Sequence, residues 1–205
     1  MHGVRVPRVR SFWTENLDGE NSVSSILIGG MGNVLLGDDG LGPYVIRLLE
    51  SQYEFGEDVE TADLGTPALD LTHRIAGRQG VILVDCIASE EHAPGTVLLY
   101  DKEALLSAIP ARRLDPHSPA VSECLLTAEM LGASPERVWL VGVVGASFEP
   151  GRPLSTTVRG SIGKVIDAII YELRRLAVRV EKKAIPDETG IWWAEDQSPY
   201  PMRIP

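Results

Sequence analysis

Acidic and imidazole side chains occur at three places that the sequence pattern puts beside the ends of predicted elements. The first is the loop Gly37-Asp38-Asp39-Gly40, the second is Asp85 after the apolar run 81–84, and the third is His117 just before a predicted helix. Two carboxylates and one imidazole suit divalent first-row metals such as nickel, zinc, manganese or iron. Three protein ligands leave coordination positions open, where a substrate's own ligand or an attacking water could bind.

Each candidate also has a purely structural interpretation. Asp38 or Asp39 could cap the helix that follows, a common use of aspartate worth about 1 kcal/mol. Asp85 could accept hydrogen bonds from loop amides, and a single loop histidine such as His117 is more often structural or solvated than a ligand. The chemical interpretation gains because all three positions are predicted at one edge of one sheet, where α/β folds place their sites.

Other mechanisms have weaker signatures in this chain. The sequence contains no Gly-x-Ser-x-Gly nucleophile elbow and no His-Glu-x-x-His pair. The glycine turn at 29–32 lacks the third glycine of the dinucleotide fingerprint, because Leu35 stands there. Cys86 lies in an apolar run, which favours an inert core cysteine over a thiol nucleophile. A nucleotide-binding module therefore remains the weaker alternative.

Strands alternating with helices must position these residues. Apolar runs predict five strands, at 25–29, 59–62, 81–84, 97–100 and 138–144. Helices are predicted after residue 40, after Thr66-Pro67, from Ser118 to Leu131 and from about Thr156 to Leu176. The β-branched run 81–84 is typical of a strand covered on both faces. We therefore predict an α/β fold, a three-layer α/β/α sandwich with a mostly parallel five-stranded sheet.

The same pattern predicts three parts of the chain. Residues 1–24 form a mobile extension, because the arginines near the start are followed by a polar stretch and not by the apolar segment of an export signal. Residues 25–177 form a single α/β domain. Residues 178–205 lose periodicity and are predicted to be an irregular tail, although they contain Trp192 and Trp193.

Composition excludes several classes of partner. The net charge of −10, from 19 basic and 29 acidic side chains, repels phosphate backbones and argues against nucleic acid. No apolar run approaches the roughly 18 residues of a membrane span. Two cysteines form neither a disulfide framework nor a thiolate metal site, which favours a reducing compartment, and we expect the cytoplasm. The sequence leaves the oligomeric state open, and we expect a monomer.

The segment Gly-Met-Gly-Asn-Val-Leu-Leu-Gly-Asp-Asp-Gly-Leu-Gly at 30–42 closely resembles the opening signature of the nickel–iron hydrogenase maturation endopeptidases. The resemblance continues through the blocks 81–85, 93–96, 116–117 and 140–143. It implies an enzyme that cuts a short C-terminal extension from a hydrogenase large-subunit precursor after nickel insertion, and the label aspartyl-type endopeptidase.

By position, the resemblance assigns Asp39, Asp85 and His117 both as metal ligands and as catalytic residues, and it makes Asp38 the helix cap. It implies that nickel arrives with the substrate and that no organic cofactor is needed. The implied partner is the large-subunit precursor. A non-catalytic chaperone that inspects the same client through the same three ligands is the alternative.

The chain departs from the family pattern in two loops. The second loop reads Asp63-Leu64-Gly65-Thr66 where relatives often have Asp-Gly-Gly-Thr, a motif associated with substrate choice. Asp63, Gly65 and Thr66 are therefore the predicted substrate-recognition residues, with the Leu64 side chain where the backbone would approach substrate. Gly145 stands where some relatives have proline.

Overall fold

The computed structural model describes residues 25–67, 70–107 and 119–191, with backbone only at 119 and 120. In chain order the elements are β1 (Ile26–Met31), a 3-10 turn (Gly37–Gly40), α1 (Leu41–Gln52), β2 (Tyr53–Phe55), β3 (Val59–Gly65), α2 (Asp70–Ile75), β4 (Gly80–Ile87), β5 (Val97–Asp101), α3 (Lys102–Ser107), α4 (Pro119–Met130), β6 (Arg137–Val144), α5 (Thr156–Arg159), α6 (Ile162–Arg175) and β7 (Val180–Lys182). The five strands of the larger sheet are the five that the sequence predicts.

This sheet has the strand order β3-β1-β4-β6-β5. The first four strands are parallel, and β5 pairs antiparallel with β6 at one edge. Because side chains alternate across a strand, Ile26 and Ile28 face one core, and Leu27 faces the other. The first core lies under α1, α5 and α6, and the second under α2, α3 and α4. The predicted three-layer sandwich is confirmed.

The strand order reverses between β1 and β4. From β1 the chain crosses to β3 on one side and then returns to β4 on the other. In such sheets a crevice opens outside the carboxyl ends of the two diverging strands. We call the side where β1, β3, β4 and β6 end the carboxyl edge, and the opposite side the amino edge. By this rule, the topology places a crevice between the ends of β1 and β4.

The region after residue 177 differs from the prediction. Val180–Lys182 form β7, which pairs antiparallel with β2 (Tyr53–Phe55), and the N–H of Asp187 donates to the carbonyl of Ser51 at 2.9 Å. The prediction of an irregular tail is therefore wrong for this part. Its physical cause is that a three-residue strand is too short to show a period, and its partner lies far away in the chain. Residues 1–24, Trp192 and Trp193 lie outside the described residues, so those predictions stay untested.

Two helical features also differ from the prediction. The helix expected from Thr156 to Leu176 is divided into α5 and α6, with Gly160 and Ser161 between them. There the Ser161 hydroxyl donates to the carbonyls of Gly95 at 2.6 Å and Thr157 at 3.2 Å. The short α3 has no predicted counterpart. Within the part of the chain that the structure describes, no helix is long and apolar enough to cross a lipid bilayer.

Candidate active site

The loop after β1 folds back on the strand through two glycines. Gly32 has φ +127°, and its missing side chain makes room for the carbonyl of Asp39. At Gly42, a Cβ would overlap the backbone of Met31 and lie 2.7 Å from the Val84 carbonyl oxygen. The first turn of α1 therefore rests directly on the ends of β1 and β4. This close approach places Asp39 at the crevice.

Asp39 is buried in the 3-10 turn that precedes α1, and this turn packs against β4. Its Oδ2 accepts a hydrogen bond from the N–H of Asn33 at 2.8 Å. The Asn33 side chain in turn accepts from the N–H of Leu35 at 3.0 Å. The backbone at Asn33, directly after the glycine turn, therefore restrains the Asp39 carboxylate. Carboxylates that bind metals are commonly held by such hydrogen bonds.

Asp85 lies within β4 and not after its end, because β4 continues to Ile87 beside β6. It is opposite Gly142 of β6, one position beyond Val84, the last residue of β4 that pairs with β1. Its Oδ1 accepts from the N–H of Cys86 at 2.9 Å, and the side chain is buried. Asp39 and Asp85 therefore lie on the two sides of the switch point, and both are at the carboxyl edge.

The prediction that Asp38 caps the helix is wrong. Among the described residues, no side chain caps the 3-10 turn or α1. Asp38 is fully buried and points away from the helix, toward the loop after β6. Its Oδ2 accepts from the N–H groups of Ala146 at 2.8 Å and Ser147 at 3.0 Å, and its Oδ1 accepts from Ser155 at 2.6 Å. These partners lie more than a hundred residues along the chain, so no local pattern could indicate them.

His117 lies outside the described residues, and its place in the site stays a prediction. Within 25–67, 70–107 and 119–191, no three side chains of histidine, cysteine, aspartate or glutamate are grouped to hold a metal ion. Of the predicted three-ligand set, Asp39 and Asp85 are among the described residues, and their role as ligands stays a prediction.

The predicted recognition residues lie at the end of β3, beside the first loop. The Asp63 carboxylate accepts from the N–H of Gly65 at 2.9 Å, and the Gly65 carbonyl accepts from the N–H of Gly32 at 2.7 Å. Thr66, which is exposed, follows directly. The Leu64 side chain lies over Gly29 and packs on the second core, so it does not occupy the carboxyl edge as expected.

Two further residues of the sequence analysis have structural roles. Cys86 is fully buried in the first core, in agreement with an inert cysteine. The N–H of Gly145 donates to the carbonyl of Ile87 at 3.0 Å, a bond that proline could not make. A Cβ at Gly145 would also lie 2.6 Å from the Phe148 ring and 2.8 Å from the Cys86 sulfur. Glycine at 145 therefore suits this loop.

The chain is similar to known proteins over the domain just described. A family model described as hydrogenase maturation protease matches residues 43–172. The hydrogenase 2 maturation protease of Escherichia coli strain K12 is 32% identical over 163 residues, which cover 79% of this chain and 99% of that protein. The hydrogenase expression/formation protein HupD of Rhizobium leguminosarum bv. viciae is 30% identical over 166 residues, covering 78% and 82% respectively.

The fold gives the same relationship. The solved structure of the hydrogenase maturating endopeptidase HybD from E. coli has a TM-score of 0.72 to this chain at 30% identity. The match covers 77% of this chain and 97% of that structure. The family model contains Asp85 and His117 and begins after Asp39. Because it spans more than half of the sequence, the chain belongs to the hydrogenase maturation protease family.

Proposed function

We propose that this protein is an endopeptidase that removes the C-terminal extension of a nickel–iron hydrogenase large-subunit precursor after nickel insertion. One observation carries the proposal: in a chain of this family, Asp39 and Asp85 both lie at the crevice where the strand order reverses. Crevices of this kind are where α/β sheets bind their ligands. Both cysteines are buried and neither forms a disulfide, which agrees with a reducing compartment, and we assign the reaction to the cytoplasm.

The proposed ligands of the nickel are Asp39, Asp85 and His117. Each carboxylate has one oxygen held by a backbone N–H, from Asn33 and Cys86 respectively, which limits its rotation. α4 begins two residues after His117, and the loop that follows α4 is bound at the amino edge, where the N–H of Gly77 donates to Ala133 at 2.8 Å. The start of α4 is therefore directed toward the carboxyl edge, which supports His117 as the third ligand.

The nickel belongs to the substrate in this proposal. A permanent zinc centre commonly has imidazole or thiolate as most of its ligands, whereas this set has one imidazole and two carboxylates. Such a set binds free metal weakly and gains affinity when precursor ligands share the ion. The shared nickel would hold the scissile segment and either polarise its carbonyl or activate water. Empty precursor offers no shared ion, so the enzyme would distinguish loaded from empty precursor.

The test is a trimming assay with purified protein and purified precursor. Nickel-loaded and nickel-free precursor are compared, each with protein as purified and with protein stripped by chelator. We expect stripped protein to shorten loaded precursor and to leave empty precursor intact. Efficient cutting of nickel-free precursor, or activity restored only by adding zinc to the protein, would contradict the proposal. Binding of loaded precursor without any shortening would indicate the chaperone alternative.

A further inference from the structure

The loop 145–155, between β6 and α5, is bound to both of the segments that carry the candidate carboxylates. The N–H of Gly145 donates to Ile87 at the end of β4 at 3.0 Å. The N–H of Gly151 donates to Leu35 at 2.9 Å, and the N–H of Asp38 donates to Ser147 at 2.9 Å. The loop therefore lies at the carboxyl edge, beside the crevice and on the side away from β3.

Asp38 holds this loop at both of its ends. Its carboxylate accepts from Ala146 and Ser147 where the loop begins and from Ser155 where it ends, at 2.6 to 3.0 Å. Hydrogen bonds to an ionised carboxylate are about twice as strong as neutral ones. Because Asp38 is fully buried, its loss would leave three backbone N–H groups without their acceptor. Asp38 thus connects the turn 37–40, which also contains Asp39, to the loop 145–155.

The distance across the carboxyl edge fits a short extended peptide. β3, β1, β4 and β6 are consecutive in the sheet, so three spacings of about 4.8 Å separate β3 from β6, about 14 Å in total. An extended chain advances about 3.3 Å per residue, so about four residues would cover this distance. A peptide lying from the end of β3 to the loop 145–155 would pass over Asp39 and Asp85.

Phe148 provides an apolar contact at the far end of this path. Its ring lies against the backbone of Gly145, and 38% of the residue remains exposed. A partly exposed aromatic ring that is already held in place loses little conformational entropy when it binds an apolar side chain.

We propose that Asp38 is a positioning residue, which holds the loop 145–155 as one wall of the crevice. In this position Phe148 contacts an apolar side chain of the extended client segment that lies in the crevice. This inference rests on the proposed function, because it supposes a peptide client in the crevice. Asp38 acts through the loop and touches no reacting atom.

The test measures KM and kcat for trimming of nickel-loaded precursor by Asp38→Asn, by Phe148→Ala and by the double variant. Asp101→Asn is the control for the first change, because Asp101 accepts a backbone N–H from Ala104 at 2.8 Å at the amino edge. Tyr171→Ala is the control for the second, since Tyr171 is exposed on α6, which ends near Gly80 at the amino edge.

We expect each site variant to raise KM about tenfold, and each control to leave KM unchanged. A loss of folded protein alone would lower the apparent kcat and leave KM where it was. Because both residues act through one wall, the double variant should have a KM close to that of the more affected single variant. Hydrogen–deuterium exchange without client should be faster in the loop 145–155 of Asp38→Asn and unchanged in the central strands.

The outcomes separate this inference from the proposed function. A wild-type chain that never shortens precursor would overturn the proposed function and this inference with it. Normal trimming by the wild type with unchanged KM in Phe148→Ala would overturn this inference alone, even if Asp38→Asn fails to fold. A double variant whose KM rise is the product of the two single effects would show that Asp38 does not act through the wall, and would also overturn it.

Discussion

Asp38 and Asp39 are adjacent in the sequence, but their carboxylates have different hydrogen-bond partners and different expected roles. Asp39 is buried in the turn before α1, at the carboxyl edge, and one of its oxygens accepts a hydrogen bond from the N–H of Asn33. Asp39→Asn retains an oxygen for that bond but removes the charge, so we expect trimming of loaded precursor to fall by at least about a hundredfold. Thermal unfolding should show a stability change below about 1 kcal/mol. A variant that folds and still trims normally would remove Asp39 from the site.

Asp38, unlike Asp39, should contribute more to the stability of the folded chain than to the chemical step. Asp38→Ala leaves three buried N–H groups without their carboxylate, so we expect the free energy of unfolding to fall by about 3 kcal/mol or more. Asp101→Ala is the matched control, because Asp101 accepts one exposed N–H from Ala104, and its loss should cost about 1 kcal/mol. Urea denaturation measures both values. Equal losses in the two variants would mean that the bonds of Asp38 contribute little.

Residue type and strand-end position were enough to nominate Asp39 and Asp85, since a parallel sheet brings its strand ends to one edge. They were not enough to distinguish the role of Asp38, whose three donors belong to a loop more than a hundred residues later. The orientation of the Leu64 side chain could not be predicted from the sequence either. Its place on the second core follows from strand alternation in β3, which the predicted strand, ending at residue 62, did not include.

At the scale of elements, long apolar runs were predictable and short pairings were not. β4 and β6 have nearly continuous buried runs, which a sequence displays directly. β2 and β7 have three residues each and form only where the chain after α6 meets the end of α1. The split between α5 and α6 depends on a tertiary bond from Ser161 to the turn at Gly95. The β2–β7 pairing and the division between α5 and α6 both depend on partners distant in the chain, which a local pattern does not reveal.

The β2–β7 pairing leads to a prediction about truncation. Val178 is buried in the first core, and Val180 packs against it. A chain ending at 177 should therefore lose about 2 to 4 kcal/mol of unfolding free energy relative to a chain ending at 187, which keeps β7. Comparing these two truncations isolates residues 178–187. Equal urea midpoints for the two chains would show that β7 does not stabilise the domain.

The environment of Tyr100 on β5 leads us to expect that the folded chain is destabilised at alkaline pH. Burial raises the pKa of the Tyr100 phenol above its ordinary value of 10.0, and the negative charge of Glu91 raises that pKa further. Above about pH 10 the unfolded chain therefore loses this proton while the folded chain retains it, so unfolding becomes more favourable as pH rises. Stability measured at about pH 9 and pH 11 should fall less in Tyr100→Phe than in the wild type. An equal loss of stability between the two pH values in Tyr100→Phe and in the wild type would show that Tyr100 does not cause the effect.

At the scale of the whole molecule, the candidate site residues and the turns that join the helices on the second core lie at opposite edges of the sheet. Four separate parts of the chain meet at the carboxyl edge: the loop 32–40 after β1, the end of β3, Asp85 with the residues after it, and the loop 145–155. Hydrogen bonds join the first of these to the second and to the fourth. The amino edge instead holds turns that join helix ends to each other, such as the bond from the N–H of Gly77, after α2, to the carbonyl of Ala133, after α4.

This division predicts where a bound client should protect the backbone from hydrogen exchange. Pulse labelling within seconds of mixing with nickel-loaded precursor should slow exchange in 32–40, 63–66 and 145–155, because a peptide across the carboxyl edge excludes water from these loops. The turn at 76–79 should exchange as in the free protein, and it serves as the internal control. Nickel-free precursor should protect the same loops far less, since it provides no ion for the carboxylates to share. Protection centred on the amino edge, or equal protection by loaded and empty precursor, would mean that the client is recognised by a surface other than this crevice.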